Sequence, residues 1–274
     1  MKVFKSKEFI NKLKWLTNDV PNVYYSGSNW SKLNKAGKWQ FDCVVSIKSI
    51  LWGFSADKKK TRGGTVYKAN GVADFTCNGA LNYCKKVSRD FTKLIPGAYL
   101  CMKGTKYNHS GIYLGNGKVF EDTTGWGVRK CVISDISTTG VRSLNGKRNL
   151  KWTYHGLLNY IDYSDQEEDK KKLVMELQQK LNEEWNCGLK VDGKFGPLTT
   201  KACSKHNLKR GIKAPIMVKW LQRRLEDLGY SVGKYGIDGK FGPDTLKAVK
   251  KYQKDYGLKV DGIVGKSTYR KLVS

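Results

Sequence analysis

The chain has 274 residues, of which 39% are hydrophobic and 12% aromatic, enough for one large or two ordinary domains with packed cores. Its 51 basic against 24 acidic residues give a formal charge of +27, a field suited to a polyanionic partner. No apolar run is long enough to span a membrane, so stable membrane insertion is not expected.

The charge is spread along the chain. Residues 1–164 carry 27 basic and 10 acidic residues, and residues 165–274 carry 24 and 14. Neither half is a polybasic tail. There is no zinc motif, basic helix or RNA-binding aromatic signature, so nucleic acid is not the expected partner. Residues 1–10 are charged throughout and do not read as a secretory leader, so synthesis in the cytoplasm is expected. The seven cysteines stand at 43, 77, 84, 101, 131, 187 and 203, with no Cys-x-x-Cys pair. That spacing predicts reduced thiols, and no metal or cofactor.

In chain order, residues 7–16 predict a first helix with Phe9, Ile10, Leu13 and Leu16 on one side. Residues 43–51 predict a second and residues 74–87 a third, with Cys77 and Cys84 as core residues of that third helix. Strands with Gly-rich turns follow at 98–102, 110–114, 119–121 and 128–133, and a last one within 152–160. Helices followed by an antiparallel sheet define an α+β domain over residues 1–163. Residues 164–172 are polar and read as a linker leading into a helix. Beyond them, Val191-Asp192-Gly193-Lys194-Phe195-Gly196-Pro197-Leu198-Thr199 recurs 46 residues later as Ile237-Asp238-Gly239-Lys240-Phe241-Gly242-Pro243-Asp244-Thr245. A weaker copy starts at Val260. Leu177-Gln178 and Leu221-Gln222 lie on the preceding amphipathic helices. The expectation is an all-α unit over 173–274 with an internal repeat, 173–213 and 214–274. Pro197 and Pro243 fall at or just before first helical turns, where a missing N–H costs nothing.

The candidate chemistry lies in the first domain. Cys43 heads an apolar helix, where the helix end lowers a thiol pKa. His109 stands directly before a strand and a glycine, where an imidazole can project into a cleft and take the thiol proton. His155 is the rival, on a strand face where a backbone group can satisfy it. His206 reads as a surface residue. A base needs a third group to fix its tautomer. Across a hairpin turning at Gly115-Asn116-Gly117, Glu121 is close to a cross-strand partner of His109. Asp122 points to the opposite face and reads as a solvated edge carboxylate. Asp42 immediately precedes the thiol. Backbone N–H groups at the head of its helix are expected to form part of an oxyanion site.

The repeats resemble the three-helix peptidoglycan-binding domains of bacterial wall amidases, through the Leu-Gln helix and the Asp-Gly-x-Phe-Gly-Pro-x-Thr turn at 177–200 and 221–253. The first domain resembles the NlpC-type papain-like cysteine peptidases that cut wall peptides. The matching pieces are Tyr24-Tyr25-Ser26-Gly27, Asp42-Cys43 and its apolar helix, and His109-Ser110-Gly111-Ile112-Tyr113-Leu114 with Val119-Phe120-Glu121. The sequence departs from that family at Val44-Val45, where Ser-Gly is usual, and at Glu121, where His is frequent. The resemblance implies a papain-like hydrolase domain with Cys43, His109 and Glu121 as its catalytic set and Tyr24 and Asp42 supporting the site. It implies Asp192, Phe195, Asp238 and Phe241 as wall contacts, with peptidoglycan and anionic wall polymers as partners. A phage endolysin acting on the wall after release is the function it suggests, with endopeptidase and amidase specificities both open.

Overall fold

The computed structural model describes residues 3–26 and 30–274 and divides into two compact units, Met1–Gln166 and Glu167–Ser274. Gly27 of the Tyr24-to-Gly27 stretch, and Met1 and Lys2 of the charged N-terminus, lie outside the described residues.

The first unit runs β1 (Phe4–Lys5), α1 (Ser6–Asn18), β2 (Asn22–Tyr24), β3 (Lys32–Leu33), β4 (Trp39–Phe41), α2 (Cys43–Leu51), β5 (Cys84–Ser88), β6 (Tyr99–Cys101), β7 (Ser110–Gly115), β8 (Lys118–Thr123), β9 (Lys130–Ile136), β10 (Val141–Leu144), β11 (Lys147–Lys151), β12 (Tyr154–Leu158) and β13 (Ile161–Asp162). Eight strands form one antiparallel sheet in the order β11-β10-β9-β8-β7-β6-β12-β5. One face is covered by α1 and α2, whose Phe9, Leu13, Leu16, Ile47 and Ile50 pack with Tyr99, Ile112 and Phe120 of the sheet. Each fully buried aliphatic side chain stabilises this layer by about 1.5–3 kcal/mol. The other face carries a smaller cluster of Phe91, Leu100, Met102, Tyr113, Val119 and Trp152. Strand alternation therefore sends Phe120 to the helices and Val119 to the opposite side. The start of α1 is held from a distance: Ser6 Oγ donates to Asp165 Oδ1 at 2.6 Å, and the Lys7 N–H donates to Asp165 Oδ2 at 2.8 Å.

The second unit is helical, with α3 (Ser164–Trp185) entering from the first unit, then α4 (Pro197–Lys205), α5 (Pro215–Asp227), α6 (Pro243–Asp255) and α7 (Lys266–Leu272). Pro197, Pro215 and Pro243 each occupy a first helical turn. Three buried glutamines organise it. Gln222 of α5 donates from Nε2 to Asp238 Oδ1 (2.8 Å), Lys240 O and Thr245 Oγ1, and accepts the Gly239 N–H at 2.8 Å. Gln178 of α3 does the same with Asp192, Lys194, Thr199 and Gly193. Gln253 of α6 repeats it with Asp261, Ile263, Thr268 and Gly262. The third copy is thus built like the first two, and α6 serves both the second and the third. Each clasped glycine has positive φ (Gly239, +80°), which a side chain would strain.

The class is α+β, helices packed on an antiparallel sheet, followed by an all-helical unit, as expected. Three local expectations need correction. Residues 74–87 do not form a helix: Gly79–Tyr83 make a 3-10 turn and β5 follows, an edge strand whose Lys85 and Lys86 face solvent. Residues 164–172 are not a linker but belong to α3, and the division between units falls after Gln166. Strands β10 and β11, and the small β2-β4-β3 sheet, went unpredicted because they are short and their apolar alternation is weak.

Candidate active site

Asp42 is the N-cap of α2. Its Oδ1 accepts the N–H groups of Val44 at 3.0 Å and Val45 at 2.8 Å, which starts the helix at Cys43. All nine α2 residues are buried, including Lys48, which pairs with Asp74. Val44 and Val45 are thus core residues. The cap also corrects the oxyanion expectation: two N–H groups at the helix head are taken by Asp42, which leaves that of Cys43 itself.

His109 immediately precedes β7, and its Nε2 lies 2.6 Å from Glu121 Oε2 on β8. The β7–β8 register pairs Ile112 with Phe120. Continued by one residue, it sets Gly111, not His109, opposite Glu121, so the Glu121–His109 contact is diagonal. Gly111 makes that diagonal possible. A Cβ there would lie 2.7 Å from Phe120 O, 2.9 Å from Val119 Cγ1 and 3.0 Å from the Trp152 ring. With Nε2 committed to Glu121, Nδ1 is the ring nitrogen left for the thiol.

Glu121 is fully buried and held on every side. Ser134 Oγ of β9 donates to Oε1, and Arg142 of β10 donates from Nε to Oε1 at 3.4 Å and from a terminal nitrogen to Oε2. The same terminal nitrogen is 3.3 Å from His109 Nε2. The guanidinium lies 4.6 Å from the centre of the Trp126 ring and 5.2 Å from that of Trp152, and His109 stacks on Trp152 at 5.3 Å and 15°. Sequence reasoning missed Ser134, Arg142, Trp126 and Trp152. Nothing in a short β10 marks Arg142 as buried. The one local signal is the isolated Trp-bearing segment at Gly125–Gly127.

The electrostatics divide these groups cleanly. The Cys43 thiol is held well below its ordinary value by hydrogen bonding to Cys77 and to His109, which outweighs burial. Cys77 is pushed far up by its bond to Cys43 and by burial, so it stays a thiol and donates. Burial alone would lower His109, but hydrogen bonds and charge from Cys43 and Glu121 raise it to about 9. Burial alone would raise Glu121, yet His109 and Arg142 hold it below its ordinary value. Thiolate, imidazolium, carboxylate and guanidinium thus form two ion pairs whose charges cancel, the condition under which buried charge is tolerated.

Asp122 departs from expectation. It is not a solvated edge carboxylate: β8 lies inside the sheet, and Asp122 points to the helix side, fully buried. Burial and the neighbouring Cys43 and Asp42 push it well up, which favours its neutral form. Asp42 is raised to about 6 by burial and by Cys43. Tyr24 adjoins the same group and is raised to about 12 by burial, Cys43 and Asp42, whereas Tyr25 is exposed. Cys43, His109, Glu121, Tyr24 and Asp42 therefore meet in one place.

The remaining candidates do not join them. His155 Nε2 bonds Asp90 O at 3.0 Å, the backbone satisfaction expected of it. His206 stacks on Trp185 at 4.4 Å. Asp192 and Asp238 are occupied as acceptors in the glutamine clasps, Phe241 is core and Phe195 is partly buried beneath Arg270. Asp192 and Asp238 thus also fasten the turns of the module, and Phe241 packs in its core. Among the described residues no cluster of His, Cys, Asp and Glu is arranged to hold a metal ion, and no helix is long and apolar enough to cross a membrane.

Comparison with known proteins bears chiefly on the second unit. Residues 217–272 match the family model described as a putative peptidoglycan binding domain, which takes in the second and third clasps. No curated protein matches the chain. Two solved structures are similar in part. One is a peptidoglycan-binding protein from Clostridioides difficile, in complex with glutamine hydroxamate, at 40% identity over 25% of this chain and 41% of that one, with a TM-score of 0.23. The other is NlpC2 from Trichomonas vaginalis, at 15% identity over 54% of this chain and 46% of that one, with a TM-score of 0.30. The chain spans less than half the length of either.

Proposed function

We propose that this chain is a peptidoglycan hydrolase of the endolysin kind, whose first unit cleaves an amide bond in the wall stem peptide while the second holds it to the wall. The observation that carries this is the meeting of Cys43, His109 and Glu121 in one buried cluster, with His109 Nε2 2.6 Å from Glu121 Oε2. In the resting site the proton sits on His109 and the sulfur is a thiolate. The thiolate attacks the amide carbonyl, and the Cys43 N–H receives the developing oxyanion. His109 then protonates the leaving amine from Nδ1, and Glu121 keeps the ring from turning. A water, deprotonated by the same nitrogen, releases the acyl group from sulfur.

The second unit supplies wall affinity, in line with the family match over 217–272. Tethering raises the local concentration of the first unit on its polymer. The +27 charge should speed arrival at anionic wall polymers and make lysis weaken as salt rises.

The test is digestion of purified walls with mass spectrometry of the fragments. New peptide termini identify an endopeptidase, and a stem peptide released from muramic acid identifies an amidase. Cys43→Ala should abolish either product while wall pull-down is retained. Product formation by that variant at the wild-type rate ends the proposal.

A further inference from the structure

The charge at the heart of the site is set by a residue outside the Cys-His-Glu set. Arg142 is almost fully buried, and it bonds both oxygens of Glu121. Two aromatic rings enclose it, at 4.6 Å and 5.2 Å from its central carbon. Trp126 holds its place at a conformational penalty, with φ at +57°, where a bulky side chain is strained. The indole N–H of Trp126 is anchored to Lys147 O at 2.9 Å. A strained tryptophan laid over a buried guanidinium keeps water from the Arg142–Glu121 pair.

A guanidinium only donates, so the Arg142 nitrogen 3.3 Å from His109 Nε2 cannot accept the imidazole proton. That proton is therefore directed at Glu121 Oε2, which receives both His109 and Arg142. Ser134 and the Arg142 Nε fill Oε1. Glu121 is left with one rotamer, one charge state and one free direction, toward His109.

We propose that Arg142, sandwiched between Trp126 and Trp152, is the positioning residue that keeps Glu121 ionised and aimed, and thereby fixes His109 with Nε2–H toward Glu121 and Nδ1 toward Cys43. This rests on the catalytic reading above, so the test has one arm that needs no turnover. The titratable or charged groups facing His109 are Cys43 from α2, Glu121 and Asp122 from β8, and Arg142 from β10.

The experiment compares the full-length wild type with Arg142→Gln, Arg142→Lys and Trp126→Ala. Nuclear magnetic resonance follows the His109 ring nitrogens against pH, and wall digestion is measured in parallel. Arg142→Gln removes the countercharge and the donors that keep Glu121 ionised and aimed, so the His109–Glu121 ion pair should weaken and the His109 titration should move downward. Turnover should fall roughly 10- to 100-fold, the usual effect of losing an orienting partner. Arg142→Lys restores the charge without the two-pronged grip, so it should return the titration toward wild type while turnover stays low. Trp126→Ala should shift the titration in the Arg142→Gln direction by a smaller amount, as water reaches the pair. A His109 titration that is unmoved or moves upward in a folded Arg142→Gln variant overturns the proposal. So does full turnover in Arg142→Lys. A wild type that shows the titration shifts yet digests no wall contradicts the proposed function and leaves the role of Arg142 in place.

Discussion

Each of the two units is organised around a buried side chain of nearly the same shape. Glu121 in the first is surrounded by Ser134, Arg142 and His109; Gln222 in the second is surrounded by Asp238, Lys240, Thr245 and Gly239. Both are essentially inaccessible to solvent. The amide has donors and acceptors of its own and closes its bonds without charge, so the same clasp can be used three times over as architecture. The carboxylate only accepts, so it must be met by donors and by a countercharge. That countercharge makes the surroundings reactive: it keeps a negative group against His109 and so keeps the imidazole protonated beside a thiolate. The difference between a turn fastener and the centre of a reactive site is here one carboxylate for one amide.

Exchanging the two groups breaks the comparison most severely. Glu121→Gln leaves Arg142 buried without its partner, and removing one member of a buried pair costs about 3–5 kcal/mol. It also turns an amide nitrogen or oxygen toward His109 in place of an anion. The expected outcome is a large loss of wall digestion and a lower urea midpoint for the first unit, read in the full-length chain. Stability equal to wild type would mean that the Arg142–Glu121 pair is not what holds β8 to β10.

The reverse exchange is next in size. In Gln222→Glu, three acceptors, Asp238 Oδ1, Lys240 O and Thr245 Oγ1, face a group with no N–H to give, and two carboxylates are pressed together. The lost bonds should cost about 2–3 kcal/mol. Unfolding of the second unit should shift, wall pull-down should weaken, and hydrolysis of soluble wall fragments should be unchanged. Unaltered stability near neutral pH would show that the clasp adds little to the module.

A pH scan sharpens the contrast without mutation. His109 rises from an ordinary 6.5 to about 9 in the fold. Its contribution is complete below 6.5 and is lost as pH rises through about 9. Asp42, raised to about 6, acts with the same sign at lower pH. The clasp carboxylates Asp192, Asp238 and Asp261 are shifted down, Asp192 and Asp238 chiefly by the glutamine N–H groups that reach them. Their contribution is present above the ordinary carboxylate range and is lost as pH falls below it. The first unit should therefore weaken on the alkaline side, with turnover falling through about pH 9 as His109 loses the proton owed to the leaving amine. The second should hold up to about pH 9, above which its raised thiol Cys203 begins to cost stability, and should weaken in acid. Calorimetry on the full-length chain separates the two. A joint alkaline loss in both units below about pH 9 would contradict the division of labour.

Reading the sequence went furthest where local pattern and chemistry coincide. Cys43 at the head of α2 was legible because Asp42 is an N-cap and the next eight residues are a buried helix. His109 and Glu121 were legible because a Gly-Asn-Gly turn nearly fixes which residues of a hairpin meet. The strands pair symmetrically about Asn116 over Ile112–Phe120 and Tyr113–Val119, which sets Gly111 opposite Glu121 and makes the His109 contact a diagonal two residues away. The glutamine clasps were half visible: the repeat stood out, but a turn acid such as Asp192 or Asp238 gives no sign in the sequence of its bond to a helix glutamine fourteen or sixteen residues away. Arg142, Trp126 and Trp152 were invisible. They reach Glu121 only after β9 and β10 pair onto β8, and sequence alternation in short strands does not report that pairing. The helix read into residues 74–87 failed for a related reason: a sheet edge beside β12 was available, and tertiary pairing outweighed an apolar spacing of seven.

The smallest expected effect concerns Cys77, a residue that the failed helix would have buried in the core. Its thiol is the leading influence that lowers Cys43, and it is itself kept protonated by that contact. Cys77→Ala removes one hydrogen bond to the thiolate and leaves His109, Glu121 and Arg142 where they are. The midpoint of Cys43 alkylation by iodoacetamide against pH should therefore move upward, while the plateau rate at high pH stays near wild type. The module provides the control. Cys203 is also fully buried, but among apolar neighbours of the second unit, and Cys203→Ala should leave the alkylation profile of Cys43 where it was. If Cys77→Ala also leaves it unmoved, the thiolate owes its stability to the imidazolium alone, and Cys77 is the packing residue that its sequence context first suggested.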